Sequence, residues 1–239
     1  MARTVKPEEF AAKRGEILDA AQRLVLTKGY EQMSIQDILD YVRISSGAFH
    51  HYFDSRRALL DALIERIQQE SEKPLLPIIH DPQLNAIEKL QGFFDTLDRL
   101  RSARKADVVK LVRVWYNDDN AIVRQKVDDA VLAQRAPLLT KIVRQGIQEG
   151  IFTISHPDKA GEVILSLLQG MGNTHARLLL SLEHEANEQR NVEEIVSTHA
   201  AYMEAIERVL GAPPNSLHRT DAAAVKVWIE AIRENSDHA

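Results

Sequence analysis

Along most of this chain, apolar residues recur every three to four positions, the spacing of amphipathic α-helices. Over residues 8–28, Phe10, Ile17, Ala21, Leu24 and Val25 form one stripe, and Gly29 after Lys28 supplies a natural stop. Residues 34–42 carry a second stripe of Ile35, Ile38, Leu39 and Val42. Ser34 is placed to cap it, with Asp37 three residues on to complete a capping box. Arg43-Ile44-Ser45-Ser46-Gly47 breaks the pattern, and Ser45 can cap a shorter helix over 45–52 whose Phe49 and Phe53 face back into a small core. A fourth helix over 55–72 buries Leu59, Leu60, Leu63, Ile64 and Ile67, and Pro77 with Pro82 marks a loop over 73–82. The spacing then predicts helices over 83–102, 104–117, 119–149, 157–183, 191–210 and 221–235, with a short extended link at 151–154. Pro137 should kink or break the third of these. No strand-rich region, internal repeat or low-complexity block interrupts the series, so the expected fold is all-α.

Composition narrows the class. A chain of 239 residues with 44% hydrophobic content can bury a real core. No apolar run is long enough to span a bilayer, and the N-terminus lacks a signal-peptide core, which predicts a cytoplasmic protein without a membrane partner. The absence of cysteine excludes disulfides, thiolate metal sites and cysteine nucleophiles. The formal net charge is −5, but it is unevenly spread: residues 1–57 hold nine Lys+Arg against eight Asp+Glu, and the remainder 21 against 27. Any contact with a polyanion must therefore come from local placement of cations rather than from bulk charge.

Two helices joined by a turn of three or four residues make a helix-turn-helix, whose second helix can enter the DNA major groove. The residues of the second helix suit that task. Ser46, Gly47 and Ala48 are small, so the helix start can approach base edges; the Ser46 hydroxyl can donate or accept, and the Ala48 methyl can meet a thymine methyl. His50, His51 and Tyr52 add polar tips, and Arg56 and Arg57 follow within reach of phosphates.

The run ISSGAFHHYFDSRRALLDAL (44–63) resembles the signature of the tetracycline-repressor-like, or TetR, family of transcriptional regulators. Lys28-Gly29-Tyr30 closing the first helix and Ser34-Ile35 opening the second also match, so the resemblance spans about residues 10–63. Two positions depart from it: Arg43 stands where the family usually has glycine, and His50 where it usually has tyrosine. A left-handed backbone at Arg43 would carry a cost.

The resemblance implies a helix-turn-helix DNA-binding domain over 1–54 and a helical effector-binding and dimerisation domain over 55–239. It implies a regulator, usually a repressor, that binds a near-palindromic double-stranded operator as a homodimer and is released by a small-molecule effector. Ser46, Gly47, Ala48 and His50 become the candidate base contacts, and His51 a base or phosphate contact. Tyr52, Arg56, Ser34 and Lys28 become the residues that position the DNA backbone. An N-terminal arm carrying Arg3 is a candidate for the minor groove. The helices over 157–183 and 191–210 are expected to pair with their symmetry mates. An effector cavity is expected among the fourth to eighth helices, with Phe93, Phe94, Leu97, Trp115, Tyr116, Met171 and His175 as candidate walls; an aromatic or Met at helical spacing is core more often than ligand wall, and His175 reads as easily as a satisfied core histidine. Gly170 and Gly172 weaken their helix by roughly 1 kcal/mol each, which suits a close helix crossing, room for a ligand, or a local kink.

No other chemistry is indicated. His175 with His184-Glu185 matches no established metal-ligand spacing. A phosphate loop and a G-x-S-x-G motif are absent, and Asp118-Asp119, Asp128-Asp129 and Glu193-Glu194 read as solvated helix faces. The expectation is a protein that is not an enzyme and has no cofactor or metal. The rival reading is an all-helical small-molecule-binding or assembly protein with a vestigial DNA-binding head.

Overall fold

The computed structural model describes residues 6–116, 120–181 and 188–236. Among them all regular structure is helical. The α-helices are α1 (Pro7–Lys28), α2 (Ile35–Val42), α3 (Ser46–Tyr52), α4 (Arg56–Glu72), α5 (Leu76–His80), α6 (Ala86–Ser102), α7 (Lys105–Trp115), α8 (Ala121–Gln148), α9 (Ala160–Ser181), α10 (Glu188–Leu210) and α11 (Ala222–Ser236). A 3₁₀ turn, Pro157–Lys159, leads into α9. The predicted arm residue Arg3, the Asp118-Asp119 pair and His184-Glu185 lie outside the described residues.

Local chemistry sets most of the helix ends. Pro7 sits in the first turn of α1, and Gly29 closes that helix at φ 83°, its N–H bonding the Val25 carbonyl. Ser34 and Asp37 form the reciprocal capping box of α2: the Ser34 hydroxyl accepts from the Asp37 N–H at 3.1 Å, and the Asp37 carboxylate accepts from the Ser34 N–H at 2.7 Å. Ser45 caps α3 by accepting from the Ala48 N–H at 3.2 Å. Asn85 and Glu88 make a second capping box at α6.

Two expectations are corrected. The segment 73–82 is not simply a loop, because α5 forms within it. Pro77 lies at the second helical position, where a missing N–H is harmless, and Leu75 and Ile79 are buried. Of the kink or break expected at Pro137, the break does not occur: α8 runs unbroken from Ala121 to Gln148. A proline inside a helix costs about 3 kcal/mol. Burial of Ala136, Leu139, Ile142 and Val143 along the same stretch supplies the compensating packing.

The chain forms two compact units. The first comprises the described residues of Met1–Glu70 with Lys110–Val127, and the second those of Ser71–Val109 with Asp128–Ala239. The first unit thus extends beyond residue 54. Arg56 bonds back to residues 30–33, the Tyr30 N–H bonds the Asn120 side chain at 3.3 Å, and Lys126 pairs with Asp61 at 3.6 Å. Its buried side chains include Ile17, Leu18, Met33, Ile38, Phe49, Leu59 and Leu63.

The second unit is organised around one core drawn from α5, α6, α8, α9 and α10, with Leu90, Phe93, Leu139, Ile142, Ile164 and Ile206 at its centre. Gly170 on α9 faces Tyr202 on α10, whose hydroxyl lies 2.9 Å from where a Cβ would be, so a larger residue would collide there. Helix α11 packs on α9 and α10, with Val225 and Ile229 against Val192 and Ile195. The segment leading into it is held by Glu207. That carboxylate is 3% exposed and accepts from the Asn215 N–H (3.1 Å), the Leu217 N–H (2.9 Å) and the Arg219 guanidinium (2.8 Å). Among the described residues no helix is long and apolar enough to cross a membrane.

Candidate nucleic-acid interface

Helices α2 and α3 meet at a tight turn in which Arg43 adopts the left-handed conformation, φ 56° and ψ 52°. The turn sets α3 with one apolar and one polar face. Phe49 is fully buried and Phe53 nearly so, their ring centroids 5.9 Å apart. Ser46, Gly47, His50 and His51 are exposed, and Ala48 and Tyr52 half-buried. A Cβ added at Gly47 would meet nothing within 4 Å, so its bareness serves no internal packing and leaves that side of the helix open to a partner. Residues 45–53 contain no Lys, Arg, Asp or Glu. The exposed face therefore offers hydroxyl, imidazole, backbone and methyl groups, the set that distinguishes base edges.

This face is braced from behind. Phe10 on α1 packs against Tyr52 with ring centroids 4.7 Å apart and planes tilted by 34°, and meets His51 edge-on at 5.4 Å, and the Arg14 guanidinium lies over the Phe53 ring at 4.9 Å. Lys28 is ion-paired with Asp37 at 2.6 Å. That lysine, together with hydrogen bonds from Ser34, holds the Asp37 carboxyl well below the usual carboxylate range. Lys28 and Ser34 are thus joined through the cap of α2.

Arg56 turns inward. It donates to the carbonyls of Met33 (2.9 Å), Glu31 (3.3 Å) and Tyr30 (3.5 Å), and its guanidinium stacks over the Tyr30 ring at 4.3 Å. Sequence reasoning missed this fastening, and it also missed the Phe10 brace. The only trace of either was the aromatic character of Phe10 and Tyr30.

The seven candidate wall residues fall into three groups. Phe93, Phe94 and Leu97 belong to the core of the second unit, 0%, 8% and 8% exposed, and Met171 packs against that core. His175 stacks on His199 with centroids 6.1 Å apart and planes 10° from parallel. Burial foremost, and the neighbouring His199 next, push the His175 imidazole down to about 4; its buried Nε2 has no hydrogen-bond partner. Trp115 and Tyr116 belong to the first unit, where Arg124 donates to the Trp115 carbonyl at 2.6 Å and lies over the Tyr116 ring.

An open groove of ≈ 1260 Å³ lies elsewhere in the second unit, along α5, α6, α8 and α9. Ile79, Lys89, Ala136, Pro137 and Gln145 line it, and none of the seven candidates does. Lys89 is 5% exposed and donates to the Gln145 side chain at 2.7 Å. Among the described residues no group of three or more His, Cys, Asp or Glu side chains is placed to hold a metal ion.

Comparison with known proteins agrees with this geometry. Residues 17–63 match the family described as bacterial regulatory proteins, tetR family, and residues 108–173 match the tetracyclin repressor-like C-terminal domain. The HTH-type transcriptional repressor KstR2 of Mycobacterium tuberculosis is 26% identical over 145 residues, covering 59% of this chain and 70% of KstR2. The HTH-type transcriptional repressor NemR of Escherichia coli is 23% identical over 191 residues, covering 78% of this chain and 95% of NemR. A TetR-family regulator from Shewanella sp. PV-4, known by crystal structure, superimposes with a TM-score of 0.57 at 17% identity, covering 81% of this chain and 97% of that one. That structural likeness concerns the fold.

Proposed function

The chain belongs to the TetR family of bacterial regulatory proteins and is a helix-turn-helix DNA-binding regulator, not an enzyme; from that premise we propose that it is a repressor released from its operator by a small-molecule effector. The observation that carries the reading is the exposed face of α3, free of formal charge and braced by Phe10 and Phe53. Two such helices related by a dimer axis would read half-sites about one helical turn apart on a near-palindromic duplex. A homodimer follows because one seven-residue helix offers too few base contacts to hold DNA alone, and linking two multiplies their affinities. The site of action is the cytoplasm.

Residues 1–54 carry DNA binding in this proposal, and 55–239 carry effector binding and dimerisation. Ser46, Gly47, Ala48 and His50 contact bases, and His51 a base or a phosphate. Lys28, Ser34, Tyr52 and Arg56 position the DNA backbone indirectly, by fixing the presentation of α3, a role their internal contacts support.

The effector enters the second unit near Phe93, Phe94, Leu97, Met171 and His175. The unpartnered His175 Nε2 is the polar group that supports this choice. A ligand that binds a rearranged core more tightly shifts the population away from the DNA-competent state, by as much as its differential affinity allows.

Selection from a random duplex library at two salt concentrations tests the reading. Enrichment of a partly symmetric site is the expected outcome. Salt-sensitive binding without a motif would favour a ligand-binding or assembly protein whose DNA-binding head is vestigial. A protein that sediments as a monomer at micromolar concentration would remove the dimer.

A further inference from the structure

We propose that Arg43, at the turn between α2 and α3, is a DNA-phosphate contact, and that this contact is why a non-glycine residue is retained in a left-handed backbone conformation. The inference rests on the DNA-reading role of α3 and adds a residue to it.

Two independent observations carry it. The first is conformational. Arg43 has φ 56° and ψ 52°, and it is one of two non-glycine residues with positive φ among those described, the other being Asn215. Asparagine tolerates this region through its short polar side chain, whereas arginine has no such compensation. Strain of this kind persists where surrounding structure enforces it and clusters at functional positions. Here the enforcement is visible: the Arg43 and Ile44 amides both return to the Leu39 carbonyl, which closes the end of α2.

The second observation is an elimination among the cations of the first unit. Lys13, Lys28 and Arg66 are ion-paired with Glu16, Asp37 and Asp19. Arg14 and Arg23 lie over the Phe53 and Tyr41 rings. Arg56 is spent on the carbonyls of residues 30–33. Among residues 6–66, Lys6, Arg43 and Arg57 remain without an intramolecular partner. Only Arg43 stands on the turn itself, exposed, three residues before Ser46. Helix α3 has no Lys or Arg of its own, yet docking any helix in the major groove brings its flanks against phosphates. Arg43 is the free cation that the turn presents at one flank.

The contact is a charge-assisted hydrogen bond to a phosphate oxygen, one per subunit, so two form per dimer. Each phosphate neutralised contributes about 0.9 to the slope of log K against log salt concentration. Losing both should reduce the slope by about 1.8, so the affinity penalty should shrink roughly twelvefold between 50 and 200 mM salt.

The test uses the full-length dimer on the duplex that the wild type selects, with Arg43→Gly, Arg43→Gln and Arg43→Lys compared by titration across salt. Glycine relieves the backbone and glutamine keeps it strained, and both lose the slope increment and bind more weakly on every sequence, while lysine retains it. The melting midpoint of Arg43→Gly holds or rises, which separates lost binding from lost folding. Wild-type affinity and slope in both Gly and Gln would overturn the assignment. A loss in Gly alone would overturn it too, since backbone freedom would then be the cause, as would a change in preference at a single base position. If the wild type itself selects no duplex, it is the DNA-reading role of α3 that fails.

Discussion

Arg56 illustrates how a residue beside the reading helix can act without touching DNA, and replacing it with alanine separates the two possibilities. The guanidinium makes one short hydrogen bond to the Met33 carbonyl at 2.9 Å and longer ones to Glu31 and Tyr30 at 3.3 and 3.5 Å. It also stacks on the Tyr30 ring at 4.3 Å. A hydrogen bond to a charged donor contributes about 1.5–3 kcal/mol, and a partly exposed cation–π contact about 0.5–1 kcal/mol. The Glu31 carboxylate at 3.5 Å is exposed and adds little. Removing the set should cost about 2–3 kcal/mol, a 30-fold or greater loss in the folding constant. Arg56→Lys should recover part of this, because the ammonium can keep the Met33 bond but cannot stack as a plane. Urea denaturation measures the stability, and operator titration across salt measures the charge contribution. The prediction is a destabilised Arg56→Ala whose remaining folded fraction keeps the wild-type salt slope. Stability within about 0.5 kcal/mol of wild type, with a slope reduced by about 1.8 per dimer, would show that the guanidinium leaves the loop and sits on phosphate.

Glu207→Ala should cost about 3–5 kcal/mol, because it leaves the Asn215 and Leu217 amides without their acceptor and the Arg219 guanidinium without its carboxylate, keeping only the Leu217 carbonyl. Hydrogen exchange should then show loss of protection at residues 215 and 217, and unchanged protection there would contradict the role of this carboxylate. The depressed His175 value gives a pH dependence whose sign is fixed: the unfolded chain binds the proton near 6.5 and the folded chain near 4. Stability is therefore full above about pH 6.5 and falls as the pH drops toward 4, by roughly 1–2 kcal/mol after allowance for partial exposure. His199 shifts in the same direction, so His175→Gln should flatten the denaturation profile across this window without abolishing its slope; an unchanged profile would remove His175 as its source.

Features decided within one turn of helix were legible in the sequence. The Gly29 stop, the Ser34–Asp37 box and the Ser45 cap depend on residues no more than four apart, and each is seen. The left-handed turn at Arg43 was not legible this way: only the family resemblance, which usually has glycine there, pointed to it, and arginine argued against it. Features decided by distant packing were not. The proline rule is local, and the continuity of α8 through Pro137 depends on burial of Leu139, Ile142 and Val143. Helix α5 has only five residues, too few for periodicity to register, and it is held by the burial of Leu75 and Ile79.

Helical spacing likewise says which face of a helix points inward without saying what it meets. It could not tell that Phe93 joins a packed core while Trp115 belongs to the other unit. Arg56 looked like a phosphate contact because it follows α3 by four residues, and its partners, more than twenty residues earlier, leave no local trace. The groove beside Lys89 combines residues from α5, α6, α8 and α9, and no one segment marks it.

The central claim is that α3 reads base sequence through its exposed first turn. The most direct test compares the duplex motif selected by the wild type with that selected by Ser46→Ala. Ser46 is exposed and its hydroxyl makes no internal bond, so the substitution should leave the fold intact. The expected result is a motif changed at one base position and mirrored in both half-sites, with affinity for the altered position weakened by about 1–3 kcal/mol. An identical motif from both proteins, or a uniform loss across all sequences, would contradict the assignment of α3 as the reading helix.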